Sequence, residues 1–267
     1  MSKGILFVGF DTITDQNQTI KYTKLAKISS NLIKKHLNVP CALISDCFVE
    51  GFDENIIVEK PSSTTRHVAI GKKHQSYNWY NDYRRRAFDL TPFDETILLD
   101  VDYFVQTNQL ENLFGVQEPF MIAKDVYDPM GLNSFANYRL LPNRTIPQCW
   151  ATIIKFNKCS KVFFEYADMI ANDYHYYSEI FKFTSGQYRN DMVFSIVAHM
   201  LPAKFIPWPM WMTGSESEIV NANNKGLKVL NNNRVMRIKN DLHVLDKTIA
   251  VDEKKLDMLE KWSLSCD

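Results

Sequence analysis

Glycine is scarce in this chain, 9 residues in 267, and no G-x-G-x-x-G follows its first apolar run. Without those small residues a backbone cannot close tightly around a pyrophosphate, which argues against a dinucleotide-binding Rossmann domain. The five cysteines (Cys41, Cys47, Cys149, Cys159, Cys266) are odd in number and include no C-x-x-C pair. That pattern favours reduced, mostly structural thiols over a disulfide framework or a zinc site. No apolar run approaches the ~20 residues that span a bilayer; the longest are strand-sized, such as Ile5-Leu6-Phe7-Val8. Lys3 precedes no apolar core ending in small residues, so the start of the chain reads as a strand and not a signal peptide, and a cytoplasmic location is expected. On that reading Asn17-Gln18-Thr19 and Asn143-Arg144-Thr145 match the N-glycosylation pattern by chance. Net charge is also absent, with 31 basic against 31 acidic residues. A nucleic-acid binder with this balance needs its basic residues gathered on one face.

What is present is enough apolar material for a sizeable core, 45% hydrophobic and 13% aromatic residues, with no linker or low-complexity tract. One domain over 1–267 is expected. The first unit reads as a strand at 4–10, a polar loop, a helix near 20–37 and a strand at 41–44. Within the helix Tyr22, Leu25, Ala26, Ser29, Leu32, Ile33 and His36 recur at spacings of three and four, one face of an amphipathic helix. This is βαβ grammar, which implies an α/β fold with a central, mostly parallel sheet flanked by helices and a ligand site at the carboxyl ends of the strands. The loop Gly9-Phe10-Asp11-Thr12 belongs at that end. Further strands are expected at 55–58 and 120–123, with helices at 161–171 and 187–199. Short strands at 235–238 and 242–245 and a charged surface helix at 252–262 complete the chain. In Pro207-Trp208-Pro209-Met210-Trp211-Met212, one tryptophan is expected in the core and the other at a pocket rim.

The most informative stretch is Asp94-Glu95-Thr96-Ile97-Leu98-Leu99-Asp100-Val101-Asp102-Tyr103-Phe104-Val105. Residues i and i+2 of an extended chain point the same way. Asp100 and Asp102 would then present hard oxygen ligands on one side, suited to Mg²⁺ or Mn²⁺. A bare D-x-D also occurs as an acidic turn after a buried strand. Upstream, residues 66–86 hold six Lys or Arg against one acid, Asp82, interleaved with Tyr77, Trp79, Tyr80 and Tyr83. Such a segment suits a phosphate-bearing ligand or a solvated helix face.

Tyr83-Arg84-Arg85-Arg86, a Pro92-containing turn, then a strand ending in Asp100-Val101-Asp102 resembles the GT-A glycosyltransferases of the glycogenin and lipopolysaccharide-galactosyltransferase type. The resemblance is good over roughly residues 78–105. It implies a GT-A, Rossmann-like nucleotide-diphospho-sugar transferase fold, with Asp100 and Asp102 on the metal. Gly9, Phe10, Asp11 and Thr12 would hold the nucleotide base, and Arg84, Arg86, Asp100 and Val101 would also face the donor. Pro147 to Asn157 resembles the family's "n-s-G-v-i-l-f-n" strand, with Ala151 and Thr152 where the family has its small residues. Asp191 stands where the family has an aspartate facing the donor sugar or acceptor hydroxyl, with Met192 replacing the second polar residue; read from the residues alone, it opens a helix. Asp241-Leu242-His243-Val244-Leu245-Asp246-Lys247 matches the order of a late histidine that completes the metal shell and a lysine on the diphosphate, without the family's following Pro-Trp. A lone histidine in an apolar strand is also commonly a core residue.

The resemblance thus implies a Mn²⁺- or Mg²⁺-dependent hexosyl- or pentosyltransferase, moving a sugar from a nucleotide sugar, a UDP-sugar by preference, to an acceptor hydroxyl. Richness in Asn, Lys, Ile and Tyr suggests an AT-rich genome as in many bacteriophages, and hence a hydroxymethylated DNA base as acceptor; a glycan is the competing acceptor. A haloacid-dehalogenase-type phosphatase also uses D-x-D after a strand, but on its first strand and with a later G-D-x-x-x-D absent here. A non-catalytic nucleotide- or glycan-binding relative is the remaining alternative.

Overall fold

The computed structural model describes residues 2–70, 73–80, 82–131, 146–182 and 188–265. Asn143-Arg144-Thr145, Gln187 and Cys266 lie outside the described residues. Among those described, seven strands form one sheet in the order Lys204–Phe205, Phe120–Ala123, Trp150–Asn157, Glu95–Leu99, Lys3–Val8, Cys41–Ser45, Glu54–Ile57. Lys3–Val8 pairs in parallel with both Cys41–Ser45 and Glu95–Leu99, and Trp150–Asn157 alone runs against the others. The expected α/β architecture, a mixed and mostly parallel sheet flanked by helices, is therefore present.

The central strands are buried along nearly their whole length because both faces are covered. Alternation divides them: Ile5, Phe7, Leu43, Ile97 and Leu99 pack to one side with Leu25, Leu32 and Ile33 of the helix Tyr22–His36. Leu6, Val8, Ile44 and Leu98 pack to the other, with Phe163, Phe164 and Ile170 of Lys161–Asn172 and Val193, Phe194 and Val197 of Asn190–Met200. The last helix, Glu253–Leu264, is capped by Asp252, whose carboxylate accepts from the Lys254 and Lys255 N–H groups, and buries Leu256, Leu259 and Trp262 on the first side. Its outer face is charged, as expected.

A second sheet matters for the site: Val126–Tyr127, Met210–Thr213, Leu242–Val244 and Tyr103–Phe104, in that order. Trp208 and Trp211 both sit half-buried at the edge of the core. A hairpin, Thr64–Ile70 with Lys73–Trp79, occupies most of the basic stretch expected to be a charged surface. Arg84 and Arg85 follow it in a 3₁₀ turn, Asp82–Arg86, that runs into the one-turn helix Ala87–Leu90. Cys41 and Cys149 are buried free thiols, and burial pushes both up to about 12. No helix among the described residues is long and apolar enough to cross a membrane.

At the amino-terminal end of Glu95–Leu99, Lys155 is completely buried, 3.1 Å from Glu95, and donates to the carbonyls of Val116 and Glu118. Glu95 also accepts from Gly115 N–H at 2.9 Å. Lys155→Ala strands a buried carboxylate and two carbonyls. It is expected to cost about 3–5 kcal/mol of stability, read by urea denaturation, whereas replacing both partners by apolar residues should cost much less.

Candidate active site

Asp100 follows directly on its strand, its N–H donating to Thr152 O at 3.0 Å. The chain then turns: Tyr103 N–H donates back to Asp100 O at 3.1 Å, and the Ser29 hydroxyl caps Val101 O at 2.7 Å. Asp100 and Asp102 therefore converge through a tight turn, not through the extended i, i+2 geometry expected from the sequence. The turn is required because the chain leaves the large sheet here and enters the small one. There Tyr103 pairs with His243, and Asp102 O accepts from Val244 N–H at 3.0 Å. The same step that brings the acids together thus delivers the histidine.

One ligand atom from each of Asp100, Asp102 and His243 lies within 4.8 Å of the others. His243 Nε2 is 3.2 Å from Asp102 Oδ1 and 3.7 Å from Asp100 Oδ2. Ligands about 2.1 Å from an octahedral ion stand roughly 3 Å apart, so the two distances from His243 suit a shared divalent cation. Thr152 Oγ1 is 3.2 Å from His243 Nδ1. A tautomer with Nδ1–H donating to that hydroxyl would leave the Nε2 lone pair for an ion held between the carboxylates; without an ion, Nε2 lies within hydrogen-bonding reach of Asp102 Oδ1.

The other oxygen of each acid is held by a cation. Arg84 Nη1 donates to Asp100 Oδ1 at 2.7 Å, and Lys247 Nζ pairs with Asp102 Oδ2. Burial opposes the charge on Asp102, but Lys247 and His243 outweigh it and hold the carboxyl well below the usual range. Burial likewise works against the Lys247 ammonium, and Asp102 more than compensates. Arg84 is almost wholly buried and also donates through Nη2 to Ala151 O. On the next strand the N–H of the same Ala151 donates to Asp191 Oδ1 at 2.8 Å. Asp191 stands in the first turn of Asn190–Met200. Burial raises its carboxyl above the ordinary value, the Ala151 N–H works against this, and Asp100 adds to the rise.

These groups line a cleft of about 460 Å³ at the carboxyl edge of the parallel strands. It brings together Gly9, Phe10, Arg84, Asp100, Val101, Asp102, Asp191, His243 and Lys247. Three other expected residues are not among its lining. Asp11 caps the first helix, accepting from Thr23 N–H at 2.8 Å and from its hydroxyl. Thr12 donates to Asn78 O at 2.8 Å. Arg86 is exposed, its guanidinium 6.0 Å from the Tyr83 ring. The tryptophans at the cleft are Trp79 and Trp150, in place of Trp208 or Trp211. Arg66, Tyr22, Tyr77, Gln148 and Arg189 also line it and were not singled out from the sequence as site residues. The mixture of cations and aromatics at 66–86 was the signal for Arg66, Tyr77 and Trp79.

No protein-family model matches the chain, and no curated protein matches it in sequence. Among solved structures it is similar to the glycosyltransferase GlyE of Streptococcus pneumoniae TIGR4, at 12% identity and a TM-score of 0.45, over 77% of this chain and 46% of that one. It is also similar to the galactosyltransferase LgtC in complex with donor and acceptor sugar analogs, at 12% identity and a TM-score of 0.48, over 76% of this chain and 72% of that one. A third is the bifunctional IspDF of Campylobacter jejuni, at 12% identity and a TM-score of 0.42, over 77% and 49%. The chain thus spans less than half the length of GlyE. The likeness is one of fold.

Thr152→Val removes the hydrogen-bond partner of His243 Nδ1 at nearly constant volume. Mn²⁺ affinity, measured by titration calorimetry, should fall roughly 10-fold or more with the fold unchanged by circular dichroism.

Proposed function

We propose that this chain is a metal-dependent glycosyltransferase of the GT-A type that moves a hexosyl or pentosyl group from a nucleotide sugar, preferentially a UDP-sugar, to an acceptor hydroxyl. The observation that carries this reading is the convergence of Asp100, Asp102 and His243, each acid braced from behind by its own cation, in one cleft with Asp191. Two carboxylates and one imidazole suit Mn²⁺, with Mg²⁺ the harder alternative. A divalent ion held there supplies positive charge that offsets the charge developing on the leaving diphosphate.

The protein's own groups do the rest. Gly9, Phe10 and Val101, all in the cleft lining, would face the base, and Lys247, paired with Asp102, would present its ammonium to the diphosphate. Arg84 acts by fixing Asp100. The acceptor oxygen bonds to the anomeric carbon of the donor, and the bond from that carbon to the diphosphate oxygen breaks with its electron pair staying on the diphosphate. The hydroxyl proton passes to Asp191, whose raised basicity suits a general base. A phosphatase reading, with Asp100 as nucleophile, fits less well because Asp100 Oδ1 is tied to Arg84 and Oδ2 faces His243.

For the acceptor a glycan is favoured over a hydroxymethylated base in phage DNA. Two arginines of the basic run are engaged within the protein: Arg84 is buried on Asp100, and Arg85 pairs with Asp82 and Asp168.

The test is nucleotide release from a panel of UDP-, GDP- and CMP-sugars with and without Mn²⁺. Metal-dependent turnover of one donor should appear in the wild type and vanish in Asp102→Ala. Asp191→Asn should keep Mn²⁺ affinity while losing about 10²–10⁴-fold in transfer. Silence across the panel, with no metal-dependent donor binding, would sink the reading.

A further inference from the structure

The cations of the cleft are unevenly matched. At the metal end Arg84 is paired with Asp100 and Lys247 with Asp102. At the Asp191 end two arginines, Arg66 and Arg189, line the cleft and form no ion pair with any described residue. The residues outside the described set contain no acid except Asp267. Asp191 lines the same cleft, and both arginines pull its carboxyl down against the effect of burial.

Arg66 is built as a platform. Its guanidinium carbon lies 3.2 Å from the centre of the Trp79 ring, and Nη2 reaches Tyr188 O at 3.4 Å. The stack covers one face of the guanidinium and fixes its plane. The carbonyl contact anchors the hairpin to the segment that leads through Arg189 to Asp191. A planar, partly desolvated guanidinium beside a second one is the arrangement that binds a carboxylate or phosphate through paired N–H donors. The tryptophan behind it adds a cation–π contribution that survives when water is displaced. With a divalent ion balancing a donor diphosphate at the other end, one anionic group here would complete the charge balance of the cleft.

We infer that Arg66 and Arg189 form an anion subsite for the acceptor. The sugar that receives the transfer carries a phosphate or carboxylate, seated on the Trp79-backed guanidinium, with its attacking hydroxyl at Asp191. The assignment to the acceptor rests on the transferase reading; the anion site itself does not.

Binding of inorganic phosphate, glucose 6-phosphate and glucuronate is compared with that of glucose by NMR titration of the full chain, first without metal or nucleotide and then with Mn²⁺ and UDP. The charged probes should bind at least tenfold more tightly than glucose. Arg66→Gln and Arg189→Gln should each weaken them about tenfold while leaving Mn²⁺–UDP affinity unchanged. Arg66→Lys, which keeps the charge and loses the planar stack, should fall between. Arg189 is exposed, so its variant guards against a folding defect at Arg66. Equal binding of charged and neutral probes, or no binding of any charged probe, overturns the subsite. Loss of Mn²⁺–UDP affinity in the arginine variants overturns the acceptor assignment, because the arginines would then serve the donor phosphates. Failure of the transferase reading looks different: the wild type itself would not bind Mn²⁺–UDP, whatever the charged sugars do.

Discussion

Two carboxylates set side by side repel each other, and the cleft is organised around how that repulsion is answered. Arg84 and Lys247 take one oxygen each from Asp100 and Asp102, which leaves the remaining pair turned toward His243. In water such pairs contribute little. Here Arg84 and Asp102 are nearly dry, and the same contacts become strong enough to set side-chain direction. Arg84 precedes the acids in the chain and Lys247 follows them by far, so the electrostatic answer also ties the central strand to the segment after the small sheet. Ala151 extends the arrangement: its carbonyl accepts from Arg84 and its N–H donates to Asp191, linking the acids to the helix on the far wall through one peptide.

Much of the frame was legible in the sequence, because burial on both faces of a parallel sheet writes long apolar runs and burial on one face of a helix writes a 3.6-residue period. The unit from Lys3 to Ser45 and the strand before Asp100 follow from those two rules. The hairpin Thr64–Ile70 and Lys73–Trp79 did not, because it packs through partners remote in sequence: Ser76 bonds to Asp15, Tyr77 bridges Thr14, and Arg66 reaches Tyr188. A charge count along the segment has no access to the inward turn of Arg84 and Arg85. The hairpin of Gly226–Asn231 with Arg234–Ile238, of which only the second strand was expected, does carry a local signal. Asn232 and Asn233 adopt φ of 44° and 65° between the paired residues Asn231 and Arg234, a two-residue turn that adjacent asparagines favour.

The site residues divide in the same way. The acid pair is visible as a pattern, and Asp191, His243 and Lys247 only through a family resemblance, since an isolated histidine or lysine carries no local signature. Thr152 could not be anticipated as the partner of His243: the two are 91 residues apart and meet because Asp100 pairs with Thr152 across the large sheet while Tyr103 pairs with His243 across the small one. Alternation along a strand misdescribed the acids because the chain changes sheets between them, and a change of sheet needs a turn.

The buried Lys155–Glu95 contact acquires a second meaning from its position on the two strands that carry Thr152 and Asp100. Neighbouring antiparallel strands can slide, and a slip of a single residue exchanges their faces. Such a slip would turn the Thr152 hydroxyl away from the imidazole and take the Asp100 amide off its carbonyl. The ion pair behaves as an alignment pin, admitting one register only. The seating of a cleft histidine against its threonine is in this sense set from the opposite edge of the sheet, by residues outside the cleft lining.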